Sequence, residues 1–416
     1  MGTKPQLLSR QPRLGIKCKT GYRKSMTSLP NLITDTPALT GFCHRLKDAE
    51  FITVDTEFMR EKTFWPKLCL VQLAGPHEAA LIDPLAAGMD LAPLFELLAT
   101  DTVLKVFHAA RQDIEIFFHL SGTIPQPIFD TQVAAMVCGF GESVAYDTLV
   151  SKLTSARIDK SSRWADWSHR PLTEKQQNYA LSDVTHLRNV YQKLMAKLTK
   201  TARTPWIKEE MAILRDPSTY QVDPEEAWRR LRPRTNNRRF LGILKELAAW
   251  REREAQERDL PRGRILRDDC LADIAATAPV SVEALARCRG VGAGIAGGKL
   301  GPGILNAVKK GLSLPDEALP PPEEKPDFVP GLGPLTDLLK VLLKAKCEEY
   351  DVAQKLVANS QDIERIAADD AADVPALRGW RRDIFGAAAL DLKHGRLSIG
   401  CQNGRIALVS NTGGLL

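Results

Sequence analysis

The sequence predicts an α/β domain of about 200 residues followed by an all-helical half. Three observations carry this. Three apolar runs, Phe51–Glu57, Leu68–Ala74 and Glu78–Asp83, lie close together with short connections, as in an antiparallel meander. A fourth run, Val103–Phe107, passes directly into a helical stretch from about Ala110 to Leu120, a strand-to-helix unit. Beyond about residue 205 the apolar spacing is predominantly helical, typified by the i, i+3, i+4 pattern of Leu241–Arg258. At 416 residues the chain exceeds one ordinary domain, and two or three are expected.

In order, residues 1–25 hold seven Lys/Arg and no acid, and lack the apolar core of a secretory signal. They read as a disordered basic leader or a start-site artefact, with Met26 the alternative start. Residues 26–205 form the α/β domain. Asp35 caps its first helix, a helix covers about 91–99, and Ile128–Asp130 is a short fifth strand before helices fill most of 131–200. Residues 206–312 hold a helical connector and a first bundle. Its Gly290–Gly298 stretch has a G-x-G spacing but no preceding strand, so a flexible helix connector is expected rather than a phosphate loop. Residues 313–333 are a proline-rich linker. Residues 334–400 form a second bundle, and residues 401–416 a poorly ordered tail. A shift of 92 residues superposes Asp259 on Asp351, Leu271 on Ile363, Ile274 on Ile366 and Leu285 on Leu377, as in two diverged copies of one module.

Composition sets bounds. No apolar run reaches about 18 residues, which excludes a transmembrane helix. The eight cysteines are scattered, with no C-x-x-C, and read as reduced thiols in a cytosolic protein. The net charge of +6 is uneven. Between Trp228 and Arg267 thirteen Lys/Arg face five Asp/Glu, which suits a polyanionic partner, with a solvated helix face as the plain alternative.

Candidate chemistry begins at Asp55 and Glu57. Residues i and i+2 of a strand share a face, so the two carboxylates project side by side. Such anions resist ionising together unless a cation sits between them, which suggests half of a divalent-metal site. A solvated strand edge is the alternative. Asp113 lies near the start of the helix after the fourth strand, where ligands of open α/β sheets gather, although it equally complements a helix N-terminus. Tyr179 and Asp183 are i and i+4 on one helix face. A tyrosine hydroxyl beside a carboxylate can position water next to a metal, and a surface pair is the alternative.

Asp55-x-Glu57, then Asp113, then Tyr179-x-x-x-Asp183 resemble the three motifs of the DEDD exonucleases. The tyrosine marks the DEDDy branch. Its sister branch has a histidine five residues before the last aspartate, where this chain has Asn178. Val54–Phe58, Leu68–Leu73, His108-Ala with Asp113-Ile-Glu, Phe129-Asp-Thr-Gln and Asn178-Tyr-Ala-x-x-Asp183 are similar to the ribonuclease D family over about residues 30–200. The resemblance implies a ribonuclease H-like mixed sheet whose first three strands are antiparallel. It implies two divalent cations, Mg2+ or Mn2+, held by Asp55, Glu57, Asp113 and Asp183, with Tyr179 orienting the attacking water. Phe58 and Met59, which follow the metal pair, are candidate contacts to the terminal base or sugar, with core packing as the alternative. His108 either touches substrate or satisfies the strand end. Asp130 reads as structural. Arg163, in the polar stretch holding Trp164 and Trp167, is a candidate phosphate contact.

The two bundles resemble HRDC domains, of which the first carries the basic excess and hence the larger nucleic-acid role. The implied activity is 3′–5′ exoribonuclease action on RNA with a free 3′ end, tRNA precursors above all. The expected enzyme is cytoplasmic and monomeric, with no membrane attachment and no organic cofactor. A DNA-directed exonuclease of the same branch and a catalytically silent RNA-binding scaffold are the alternatives.

Overall fold

The computed structural model describes residues 32–233, 235, 237–321 and 331–411. The basic leader, the middle of the proline-rich linker and the last five residues lie outside them. Strands β1 (Leu32–Ile33), β2 (Phe51–Met59), β3 (Lys67–Ala74), β4 (Ala79–Ile82), β5 (Leu104–Phe107) and β6 (Ile128–Asp130) form one sheet in the order β1-β4-β3-β2-β5-β6. The β2–β3–β4 meander is antiparallel as expected. β5 and β6 add in parallel beyond β2, and β1 adds in parallel to β4 at the other edge. β1 has two residues, too few to leave a period-2 pattern in the sequence.

Alternation along β2 divides the helices between the two faces. Ile52 and Val54 pack towards α1 (Thr36–Leu46), α2 (Ala92–Ala99) and α3 (Arg111–Ser121). Phe51, one residue out of phase, packs towards α4 (Thr131–Val137), α5 (Tyr146–Thr154) and α6 (Glu174–Lys200). Asp35 caps α1 through the Ala38 N–H at 2.9 Å, and Thr173 and Gln176 form a capping box on α6. Helix α7 (Thr204–Leu214) closes the domain.

The first helical bundle comprises α8 (Arg238–Glu257), α9 (Arg262–Ile265), α10 (Asp268–Thr277), α11 (Val282–Ala286), α12 (Gly292–Ala296) and α13 (Gly301–Ser313). It has its own core, built on Leu247, Leu271, Ile274, Ile304 and Val308. The glycine-rich stretch expected as a flexible connector contains the helix α12, whose Ala296 is buried against this core. The second bundle comprises α14 (Gly333–Glu349), α15 (Gln354–Val357), α16 (Ser360–Ala368), α17 (Gly379–Arg381) and α18 (Ala387–Lys393), the last two joined by a π-turn. It has no separate core. Leu339, Ile366 and Phe385 belong to the same apolar cluster as Val190, Leu194, Ile207 and Met211 of α6 and α7. The tail differs from expectation. Leu397–Gln402 (β7) and Arg405–Ser410 (β8) pair as a hairpin, with Asn403 and Gly404 both at positive φ in the two-residue turn, and Leu397 and Ile399 pack on the bundle.

Each bundle meets the α/β domain through an aspartate in the left-handed region, Asp259 at φ 48° and Asp351 at φ 49°. Asp259 Oδ1 accepts the backbone N–H groups of Phe64 and Trp65, both at 3.0 Å, and Arg262 lies over the Phe64 ring. Asp351 accepts Lys197 Nζ at 3.1 Å and abuts Gly139, where an added Cβ would lie 1.9 Å from its Oδ1. Trp206 and Trp380 stack 4.4 Å apart across the second junction.

Asp259→Gly keeps the left-handed backbone and loses only the two hydrogen bonds. Asp259→Ala loses both and is expected to be about 1 kcal/mol less stable than Asp259→Gly. Urea unfolding of the two variants side by side measures the difference, and equal midpoints would remove the backbone contribution.

Candidate active site

The carboxylates come from three elements. Asp55 and Glu57 project from β2 towards α6, just before a bulge between Glu57 and Phe58 ends the regular ladder. Asp113 stands in the first turn of α3, and Tyr179 and Asp183 on one face of α6. Asp113 and Asp183 are buried, and Asp55 and Glu57 half-buried.

Local structure brings them to the same strand ends. The chain leaves β5 through Ala109 at φ 60°, a conformation costly for a side chain bearing Cβ. Asp130 holds that turn, accepting the N–H groups of Ala109 at 3.0 Å, Ala110 at 2.9 Å and Gln132 at 2.7 Å. It is thus placed as a structural carboxylate. On the other side Thr53 Oγ1 donates to the Val184 carbonyl at 2.8 Å, and the Tyr146 hydroxyl donates to the Asp183 carbonyl, which ties α6 to β2 and α5. Thr56 Oγ1 donates to Asp113 Oδ1.

The electrostatics show mutual repulsion. Burial, then the Asp183 charge, pushes Asp55 well above the usual carboxylate range. Burial, then Asp55, Asp183 and Asp113, pushes Glu57 to about 10, opposed by Arg163. Burial, then Asp55, raises Asp113 against its bond from Thr56. Burial raises Asp183 to about 7 against its bond from the Tyr179 hydroxyl. Burial, then Asp183, raises Tyr179 itself, so it stays a protonated donor through neutral pH.

The donor set is oxygen-only, which suits a hard cation such as Mg2+ or Mn2+. Among the described residues no three of His, Cys, Asp and Glu close into a metal cage by themselves. Mg2+ completes its shell with water and substrate phosphate rather than with a full protein cage. Gln72, paired with Asp55 across the β2–β3 ladder, is fully buried, and its side-chain oxygen and nitrogen find no protein partner.

Residues 30–199 match the family model described as 3′-5′ exonuclease, and residues 240–308 match the HRDC domain. Ribonuclease D of Gluconacetobacter diazotrophicus is 54% identical over 377 residues, 91% of this chain and 96% of that protein. Ribonuclease D of Granulibacter bethesdensis is 53% identical over 92% of this chain and 97% of that protein. The crystal structure of Escherichia coli RNase D, described as an exoribonuclease involved in structured RNA processing, is similar with a TM-score of 0.75. It is 31% identical, over 88% of this chain and 99% of that one. The chain belongs to the ribonuclease D family. It is a 3′–5′ exoribonuclease with a ribonuclease H-like exonuclease domain and a following HRDC domain. The silent-scaffold alternative is set aside.

The remaining candidates of this ribonuclease D family member divide. Phe58 is half-buried against the α1–α3 core. Met59 packs on the other side with Trp167 and Tyr179. His108 accepts or donates at Nδ1 to Thr131 Oγ1 at 3.0 Å, lies 5.2 Å from the Tyr146 ring and is held neutral by burial. Arg163 is exposed and near enough to Glu57 and Tyr179 to oppose their rise. Sequence reasoning missed Thr53, Thr56, Gln72 and Tyr146. Alternation along β2 and the β2–β3 pairing place Thr53 and Gln72 on the Asp55 face, a signal the sequence carried. Thr56 points to the opposite face and Tyr146 lies on another helix, so only the fold reveals their contacts.

Among the described residues no helix is long and apolar enough to cross a membrane. The basic excess of Trp228–Arg267 is largely committed within the protein. Arg230 and Arg262 bracket the fully buried Glu252, Arg251 pairs with Asp268, Arg253 with Glu225, and Arg239 with Asp316 and three carbonyls.

A raised carboxyl pKa means the folded state binds protons more readily than the unfolded chain. Metal-free stability therefore falls as pH rises from the unfolded value towards the folded one. Asp183→Asn should raise the metal-free melting temperature only modestly at pH 5, early in that window, and far more at pH 8.5, above the folded value of about 7. Calorimetry in EDTA at the two pH values tests this, and an equal shift at both would assign the effect to packing.

Proposed function

We propose that the enzyme matures the 3′ ends of tRNA precursors in the cytoplasm, acting as a monomer with two divalent cations. The observation that carries the catalytic reading is the convergence of Asp55, Glu57, Asp113 and Asp183, with the Tyr179 hydroxyl on Asp183. The four carboxylates would hold Mg2+ or Mn2+, and the cations would stabilise the attacking and leaving oxygens of an in-line displacement. Tyr179, protonated at neutral pH, orients the attacking water by donating or accepting beside Asp183. Trp167, 6.1 Å away centre to centre and buried, fixes the tyrosine ring. The water oxygen bonds to the terminal phosphorus as the bond from phosphorus to the preceding 3′ oxygen breaks. The products are a nucleoside 5′-monophosphate and RNA with a new 3′-hydroxyl. Arg163 is proposed as a phosphate contact, and Phe58, Met59 and His108 as the wall of the terminal-nucleotide site.

The precursor-RNA reading leans on the structured-RNA role of the Escherichia coli relative. The cytoplasmic reading leans on seven described cysteines, all free. We further infer that the second bundle is a diverged HRDC copy. At the same 92-residue shift α9 falls on α15, α10 begins where α16 begins, and Asp259 falls on Asp351, both left-handed.

A 5′-labelled RNA with a single-stranded 3′ end should shorten stepwise with Mg2+ and remain intact in EDTA. Asp55→Ala and Asp183→Ala should abolish shortening while RNA still binds, and Tyr179→Phe should slow it at least about tenfold. Matched DNA and a tRNA precursor in the same assay establish the substrate. Turnover by a clean Asp55→Ala preparation would refute the site.

A further inference from the structure

Trp164 is 88% exposed, more than any other large apolar side chain among the described residues. It sits on the strap between α5 and α6, three residues before Trp167, which is 2% exposed and packed beside Tyr179. One tryptophan of the strap is spent on the core and the other on none of it. The exposure does not come from a loose end. Arg170 binds both Asp83 oxygens at 2.7 Å, the Cys69 carbonyl at 2.6 Å and the Trp167 carbonyl at 2.7 Å. At the other end Lys160 pairs with Asp147 at 2.6 Å and Asp159 accepts the Ser161 N–H. The indole is thus presented to solvent from an anchored segment.

Its neighbours link it to the reaction. The Arg163 guanidinium lies 5.1 Å from the centre of the Trp164 ring, and the same charge reaches Glu57 and Tyr179. Beside the strap a cleft of about 610 Å³, bounded by Arg157, Asp159, Glu174, Lys175, Asn178 and Tyr179, opens at the tyrosine. A flat aromatic surface next to a cation, at the mouth of a polyanion-processing site, matches the chemistry of an unpaired nucleotide: base on ring, phosphate on guanidinium. The first HRDC domain spends most of its arginines internally, so affinity for single strands needs another source.

We propose that Trp164 is a substrate-binding residue on which an unpaired base of the RNA, within the last few nucleotides of its 3′ end, stacks while the terminal linkage is cut. This rests on the catalytic reading above. Stacking is indifferent to base identity, so Trp164 selects unpaired tails rather than sequences. A paired end cannot splay a base onto it, and trimming slows as the enzyme nears a helix.

The test uses the full chain and oligoadenylate RNAs, each with one abasic residue at a successive position from the 3′ end. Trp164→Ala should raise KM roughly 5- to 100-fold with kcat little changed, and Trp164→Phe should recover most of the loss. One abasic position should weaken the wild type by a similar factor and leave Trp164→Ala unaffected. Binding of the same RNAs is followed by fluorescence anisotropy in EDTA. Wild-type protein that binds but does not cut would overturn the catalytic reading alone, with Trp164 still decided by its binding constants. Unchanged KM and binding in Trp164→Ala, or abasic penalties that are the same in wild type and variant at every position, would overturn the stacking proposal.

Discussion

Repulsion among four carboxylates is the constraint around which the exonuclease domain is built. Each of Asp55, Glu57, Asp113 and Asp183 is held above the usual carboxylate range by burial, and three of them also by one another. Left to themselves such groups would separate or turn to water. The fold prevents both by fixing their backbones. β2 is central, with β3 on one side and β5 on the other. The strained Ala109 turn that launches α3 is tied down by Asp130. Helix α6 is tied to β2 through Thr53 and to α5 through Tyr146. The two sheet-facing cores hold the backbones of these residues in place against the crowding of charge.

Opposite charge is used elsewhere with the same economy. The run between Trp228 and Arg267 looks from composition like a surface for polyanions. In the fold it is mostly mortar. Glu252 is wholly buried between Arg230 and Arg262, and Arg239 reaches the carbonyls that end α13. Arg262 also lies on Phe64 beside the Asp259 junction. These groups join α8 to its neighbours and the first bundle to the α/β domain. A count of Lys and Arg therefore overstates the charge left for RNA, and an exposed Arg163 next to an exposed indole gains weight as a contact.

The legible parts of the sequence are those with local signatures. The three-strand meander, the β5–α3 unit and the Ile128–Asp130 strand emerge within a residue or two of expectation, because period and flanking turns are written in the residues themselves. The carboxylates and Tyr179 were legible because a strand places i and i+2 together and a helix i and i+4. What was hidden depends on distance along the chain. Thr56 meets Asp113, 57 residues away, and Tyr146 meets the Asp183 carbonyl. The β7–β8 hairpin does not read as ordered from its own residues, whose outward side includes the exposed Ile406 and Val409, and its order comes from Leu397, Ile399 and Leu408 packing on the second bundle. The merging of that bundle's core with α6 and α7 leaves no compositional trace, since an apolar face looks the same whichever surface covers it.

The paired aspartates show how two helical bundles use one device at two junctions. Asp259 and Asp351 close their helices in the same left-handed conformation, which frees the carboxylate to point away from its own bundle. One then caps the backbone of Phe64 and Trp65, in the segment between β2 and β3 that follows the bulge after Glu57. The other takes Lys197, on the helix that carries Tyr179 and Asp183. Each junction thus grips an element that supplies carboxylates to the site, β2 through its trailing segment and α6 directly. A change of orientation in either bundle has to be accommodated along β2 or α6. The helical half therefore bears on the spacing of the carboxylates even where none of its own side chains reaches them.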